Sequence, residues 1–455
     1  MSPLTAEIVQ QDKLREAMER GVTDAELTEI ARQIQPADLA SFLQDLTRPE
    51  ALRFLERLEP DLAAEVLTHL DPEHQYHLLD HMDPESARAV MACMPSDAIL
   101  DVAGAIHPRQ TEILLQWLPE EYRRKVRDLM TYPDYTAGSL ASVDYVAARE
   151  TWTVDQTLAH VRKVGPRVEV VSYIYVLDAG GHLVGVVSLR ELIVSPGNQL
   201  LSEVMNREVI TVPASTDQEQ TARLVARYDL VALPVVDDVS GRMVGIVTVD
   251  DLLDVIEEEA TEDIQRLGGT QPLEEPYVRA GFFTLFRKRV GWLLVLLLAE
   301  GITATVLRHF EFALMQVVAL SFFIPLLIGT AGNAGSQAAT LVIRAMAVGE
   351  VGPRDYARII LRESWLGLAL GSVMAVAGFI RAIMLAQSPL VALTVALALV
   401  IVVTISTTIG TILPLIGRRL GADPAVFSAP LITTVADGIG LFVYFEIARR
   451  VLGLE

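Results

Sequence analysis

Five apolar stretches decide most of what this chain can fold into. They lie at about 290–307, 313–343, 363–383, 389–415 and 425–448. Each meets the roughly 20 residues that a helix needs to cross the hydrocarbon of a bilayer. At that depth every backbone polar group must be satisfied from within, so helices are the expected form. The second stretch is too long for one straight helix. It holds Pro325 and the glycine-rich run Gly329–Gly335, and a break is expected there.

Basic residues give the orientation. Arg287, Lys288 and Arg289 precede the first stretch. Arg344, Arg354, Arg358 and Arg362 separate the second from the third, and Arg418 and Arg419 the fourth from the fifth. All nine fall on the side of the N-terminal part, which the positive-inside rule places in the cytoplasm. Arg308, Arg381, Arg449 and Arg450 fall on the other side, and the last two pull against an odd number of spans. The N-terminus is polar and charged through Glu29, with no signal-peptide pattern. The expected location is the cell (inner) membrane, multi-pass, with the N-terminal domains cytoplasmic.

Charge divides the chain in two. Residues 281–455 hold nine acids and thirteen bases, whereas residues 1–280 hold 49 acids and 24 bases. The first part is therefore at −25 and the second at +4. So acidic a soluble part repels nucleic acid and attracts cations; solubility alone would account for it equally. The single cysteine, Cys93, excludes an internal disulfide and a thiolate metal site.

Within the soluble part, prolines recur about every 12 residues: Pro60, Pro72, Pro84, Pro95, Pro108 and Pro119. Glu59, Asp71 and Asp83 precede the first three. An acid at the N-cap with proline at the first helical position marks a helix start. Leu62, Val66, Leu67 and Leu70 then supply an apolar face. Stacked short helices of this kind form either a solenoid-like layer or a plain bundle.

From residue 133 the pattern changes. Val170–Val176 is strand-like, Asp178–Gly181 a turn, Leu183–Ser188 a second strand and Leu189–Val194 a helix. The order recurs sixty residues on, at Ala232–Val236, Asp237–Gly241, Met243–Val247 and Asp250–Glu258. Gly-His-Leu-Val-Gly-Val-Val-Ser from Gly181 aligns with Gly-Arg-Met-Val-Gly-Ile-Val-Thr from Gly241. The duplication resembles a tandem CBS pair. Glu257–Gly269 then reads as an acidic helix with a Gly-Gly stop.

The expected fold is thus a multidomain membrane protein. An all-α helical-repeat domain covers 1–131, and an α/β CBS pair covers 132–258 (about 132–195 and 200–258). A connecting helix and linker occupy 259–280, and five transmembrane helices fill 281–455.

Asp437 lies near the middle of the last span. A carboxylate there costs several kcal/mol unless it faces water or a cation; the alternative is a protonated Asp bonded between helices. Thr433, four residues earlier, shares its face. Gly329–Gln337 brings Gly332, Asn333 and other polar groups to lipid depth, either to line a wet cavity or to pack helices. Glu300 is a second pore acid or a packing residue. Glu311 stands at an outer mouth or is merely solvated. Asp423, before Pro424, reads as the N-cap of the last helix, at the inner mouth. No His or Cys pairs accompany these acids, which disfavours zinc and copper. A lone carboxylate with small polar neighbours suits Mg2+, which sheds its water reluctantly.

In the soluble part Asp229, Asp250, Asp251, Asp254, Glu257, Glu258, Glu259, Glu262 and Asp263 crowd into 35 residues. So dense a run is either an ion sensor or a solvated helix. Thr248 and Asp251 also fit the CBS nucleotide pattern, in which a hydroxyl residue and an Asp three residues on hold phosphate and ribose. In the first copy Ser188 and Glu191 stand there, so ATP would favour the second.

Taken together, the helical domain, Tyr132-Pro133…Ala137-Gly138, Ala260-Thr261-Glu262-Asp263-Ile264, Gly329–Gln337 and Asp423-Pro424…Pro430-Leu431…Asp437 resemble the MgtE family of magnesium channels and transporters over essentially the whole length. The resemblance implies a homodimer with the pore on its axis and Asp437 as the Mg2+ site. It implies regulatory Mg2+ at Asp229, Asp251, Asp254, Glu259, Glu262 and Asp263, holding a plug helix against the pore. Asp97 and Asp101 are candidate partners in the helical domain. Two rival readings are a membrane-anchored nucleotide sensor that moves no ion, and a carrier in which Asp437 or Glu300 takes a proton.

Overall fold

The computed structural model describes residues 13–18, 20–165, 168, 170–273, 277–385, 388–421 and 423–454. The first twelve residues of the helical-repeat domain and residues 274–276 of the linker lie outside them. The chain forms two compact units, Met1–Glu257 and Glu258–Glu455.

The first unit opens with a row of short helices running from Asp24–Ala31 to Glu120–Leu129. Pro60, Pro72, Pro84 and Pro108 each open a helix, and so does Pro36; Pro95 and Pro119 stand one position earlier, as N-caps. Asp71 and Asp83 cap as their position predicts, accepting from Glu73 N–H at 3.1 Å and Glu85 N–H at 3.1 Å. Glu59 does not cap; its carboxylate pairs with Arg32 instead. Leu62, Val66, Leu67 and Leu70 are all buried, each stabilising the fold by about 1.5–3 kcal/mol.

Two three-stranded sheets follow. The first has the order β1 (Tyr145–Arg149), β2 (Val170–Leu177), β3 (Leu183–Ser188), with β1 parallel and β3 antiparallel to β2. The second repeats it with β4 (Val212–Pro213), β5 (Ala232–Val236) and β6 (Met243–Thr248). The repeated glycines have a steric cause. A Cβ on Gly185 would lie 2.8 Å from Met205 Cγ, and one on Gly245 3.2 Å from Ala141 Cβ. Gly181 and Gly241 take φ of +84° and +67° at the equivalent turns. The helix after β6 is longer than expected. It runs unbroken over Val249–Leu267, so the acidic connecting segment begins as the last CBS helix and is not a separate element. Gly268 and Gly269, the latter at φ +73°, end it.

In the second unit five helices are long and apolar enough to cross a membrane: Phe282–His309, Val318–Ala347, Tyr356–Met384, Pro389–Arg419 and Ala429–Leu452. The second span is broken, but not at its glycines. A 3-10 turn, Val318–Phe323, leads into a regular α-helix, Ile324–Ala347, with Pro325 in its first turn. Proline there starts a helix, and the glycines inside it serve packing. Gly335 meets Gly410 of the fourth span backbone to backbone. Gly371 of the third span approaches Val400 O of the fourth, where a Cβ would stand 2.8 Å away.

The first and fifth spans run parallel in near-constant register. Trp292 Nε1 donates to Ser428 Oγ at 3.2 Å. Gly438 faces Ile302 and Thr303, and Phe310 stacks on Phe445 with centroids 5.2 Å apart. The N-cap position of the last helix is Ser428, not Asp423. Asp423 instead precedes the 3-10 turn Pro424–Val426.

Candidate cation sites

Asp437 is the buried acid of the membrane unit. It is 6% exposed, and its Oδ1 has no hydrogen-bond partner. One turn earlier, Thr433 Oγ1 lies 3.1 Å from Ser336 Oγ, which also donates to Ala429 O at 3.3 Å. Gly332 packs on Thr433: a Cβ would stand 2.7 Å from its Cγ2. Gly332 and Thr433 therefore bring the second and fifth spans together beside Asp437. Asn333 sits on the exposed side of a regular helix. The irregular backbone expected at Gly329–Gly335 is absent, so its carbonyls are committed to helical bonds. Glu311 opens the exposed start of a six-residue helix, Glu311–Gln316.

A second acid group lies at the opposite end of these helices. Asp423 pairs with Arg266, which also holds Glu262. Leu267 joins an apolar cluster that includes Val342, Ile343, Met346 and Leu415. Gly269 approaches Trp292 and Pro430; a Cβ there would lie 2.9 Å from the indole and 3.3 Å from the ring. The end of the connecting helix is thus seated against the N-terminal ends of the first and fifth spans. Glu259 and Asp263 are half-buried on the same helix. The sequence contained Arg266 but gave no sign of its partner, 157 positions away.

A third group lies in the first unit. Asp97, on the helix Ser96–Ala105, and Asp251, at the start of Val249–Leu267, are brought close together. Burial pushes the Asp97 carboxyl well above the usual range, and Asp101 and Asp144 push it further. Its Oδ1 has no hydrogen-bond partner. Burial, Asp97 and Asp250 raise Asp251 in the same way, although Thr248 Oγ1 donates to it at 2.6 Å. Asp144 accepts from Ser96 N–H at 2.8 Å and from Tyr122 Oη at 2.7 Å. Asp229 and Asp254 are exposed, and Asp229 ends the helix Gln218–Tyr228 at φ +51°. Among the described residues no three acids or other metal-binding side chains converge into a cage.

In both nucleotide positions the acid folds back on the hydroxyl residue three places before it. Glu191 folds back in a capping box, accepting from Ser188 N–H and Oγ, each at 2.8 Å. Thr248 is fully buried, and its hydroxyl donates to Asp251.

Comparison with known proteins covers each of these regions. A family profile described as a divalent cation transporter (MgtE) matches residues 324–447. An MgtE intracellular N domain matches 34–135, and CBS domains match 126–196 and 201–258. The magnesium transporter MgtE of Thermus thermophilus is 42% identical over 359 residues, 78% of this chain and 79% of that protein. MgtE of Bacillus subtilis is 36% identical over 71% of each. Among solved structures, the cytosolic domain of the Mg2+ channel MgtE in complex with ATP matches 54% of this chain and 99% of its own. That match has 40% identity and a TM-score of 0.50. The soluble part of a magnesium transporter matches 56% of this chain with 29% identity and a TM-score of 0.53.

Proposed function

This chain belongs to the MgtE family, and we propose that it transports Mg2+ across the cell (inner) membrane under the control of cytoplasmic Mg2+. The observation that carries the proposal is Asp437, a buried carboxylate in a span with one oxygen unpartnered. Left alone in lipid it costs several kcal/mol; a hydrated dication would relieve that cost. Thr433 and Gly332 line the approach, with Asn333 and Glu311 at its margins. The task of the spans is transport rather than catalysis.

Control follows from the other two acid groups. Regulatory Mg2+ at Asp97 and Asp251, with Asp229 and Asp254 completing its shell through water, would neutralise carboxylates that the fold holds close. Glu259, Glu262, Asp263 and Asp423 would take Mg2+ at the connecting helix and keep its end seated as a plug. ATP would bind at Thr248 and Asp251, as the ATP complex of a 40% identical cytosolic domain suggests. The working form is a homodimer with its N-terminal domains in the cytoplasm.

Replacing Asp437 by Ala should abolish Mg2+ uptake into liposomes while the purified protein remains folded. Undiminished flux would remove Asp437 from the path.

A further inference from the structure

We propose that Glu300 and Thr303 of the first span complete the ion path with Asp437, as a second carboxylate and a hydroxyl that select a divalent cation. The proposal rests on Asp437 being the transport site.

Thr303 is the one buried residue of Phe282–His309 among those described, at 5% exposure. A 28-residue apolar helix that buries a single side chain would be expected to bury a large hydrophobe. It buries a threonine, and the hydroxyl has no hydrogen-bond partner. Many helical threonines bond back to the carbonyl four residues earlier, as Thr305 does to Gly301 O at 2.9 Å. Thr303 does not. Its Oγ1 would lie 3.7 Å from a Cβ on Gly438, the residue after Asp437.

Glu300 lies one turn before Thr303 on the same side of the helix. The parallel register fixes its height. Trp292 stands level with Ser428 and Thr303 with Gly438, so Glu300 falls about 3 Å from the level of Asp437 along the axis, at two residues of helical rise. It is within electrostatic reach of Asp437. Glu300 is exposed, and an acid at lipid depth faces an aqueous cavity or a partner. Two buried, unpartnered groups from two spans, Thr303 and Asp437, thus lie about one residue apart along one seam, with Glu300 near their level on the exposed flank of the first span. Two carboxylates match the charge of one divalent ion and over-neutralise a monovalent one.

The test uses full-length protein in liposomes, with Mg2+ and K+ fluxes measured on the same preparations. Glu300→Gln should lower the ratio of Mg2+ to K+ flux about tenfold, since the lost attraction is twice as large for the dication. Glu300→Asp should recover most of it, and Thr303→Val should raise the half-saturating Mg2+ concentration. Monodispersity on gel filtration excludes misfolding. If Glu300→Gln keeps the wild-type ratio while Asp437→Ala is inactive, the proposal is overturned and the transport reading stands. If Asp437→Ala transports normally, both fall.

Discussion

Asp97 and Asp251 are held together at a cost that pH can expose. Burial raises both carboxyls above their ordinary range, with repulsion from Asp101 and Asp144 adding at Asp97 and from Asp97 and Asp250 at Asp251. The folded N-terminal part therefore binds more protons than the unfolded chain above the ordinary carboxylate pKa of about 4. Its stability must fall as pH rises from that value through the raised ones. Without Mg2+, residues 1–270 should melt at lower temperature at pH 8 than at pH 5. Mg2+ should narrow the difference, and its binding should release protons measurable in weakly buffered solution. Asp97→Asn should stabilise the Mg2+-free fragment, since a neutral amide carries no penalty for burial of charge, and weaken its response to Mg2+. A loss of stability in the Asn variant would contradict this account. At Thr248 and Asp251, calorimetry should show ATP binding weakened more by Asp251→Ala than by Glu191→Ala, because only the second copy keeps Thr-x-x-Asp. Equal losses would count against the second-copy site. Asp437 was legible as a single residue because an acid inside an apolar run is rare. The closeness of Asp97 to Asp251 was not, since no local pattern joins positions 154 apart.

Single elements were read best where one residue dictates geometry. Proline without an N–H starts helices, so the short helices after Pro60, Pro72 and Pro84 followed from sequence. The duplicated glycines likewise marked the CBS strands. The break in the second span falls at Pro325 and not in the glycine run, because glycine signals both irregular backbone and close packing, and only the neighbouring helix decides which. Asp423 was read as a cap for a similar reason: Asp-Pro suits a helix start, but Arg266 claims the carboxylate. That ion pair is half-exposed, and exposed pairs contribute about 1 kcal/mol or less. Arg266→Ala should therefore loosen the seated helix end modestly, raising the cytoplasmic Mg2+ needed to halve transport by about fivefold at most. Patch recording from liposomes at graded Mg2+ would measure it; a lower half-inhibiting concentration would refute the latch.

For the molecule as a whole, charge is the governing quantity. An N-terminal part near −25 repels itself. Small-angle scattering of residues 1–270 should show compaction in millimolar Mg2+ beyond that in KCl of equal ionic strength. Equal compaction would leave only screening, which acts over about 8–10 Å near physiological salt.

Gly335 and Gly410 touch through their backbones, so the second and fourth spans have reached a hard stop. They can pivot on each other but cannot draw closer. Pro414 lies one turn further along the fourth span and removes the bond to the Gly410 carbonyl, softening the rod at its fulcrum. The first span has no such bearing: its one buried side chain is Thr303, and its main neighbour is the fifth span. The membrane half is thus a fixed frame with one loosely hung vane. A stroke that widens the path is cheapest at the vane, and it would carry Glu300 away from Asp437 while the frame stands still.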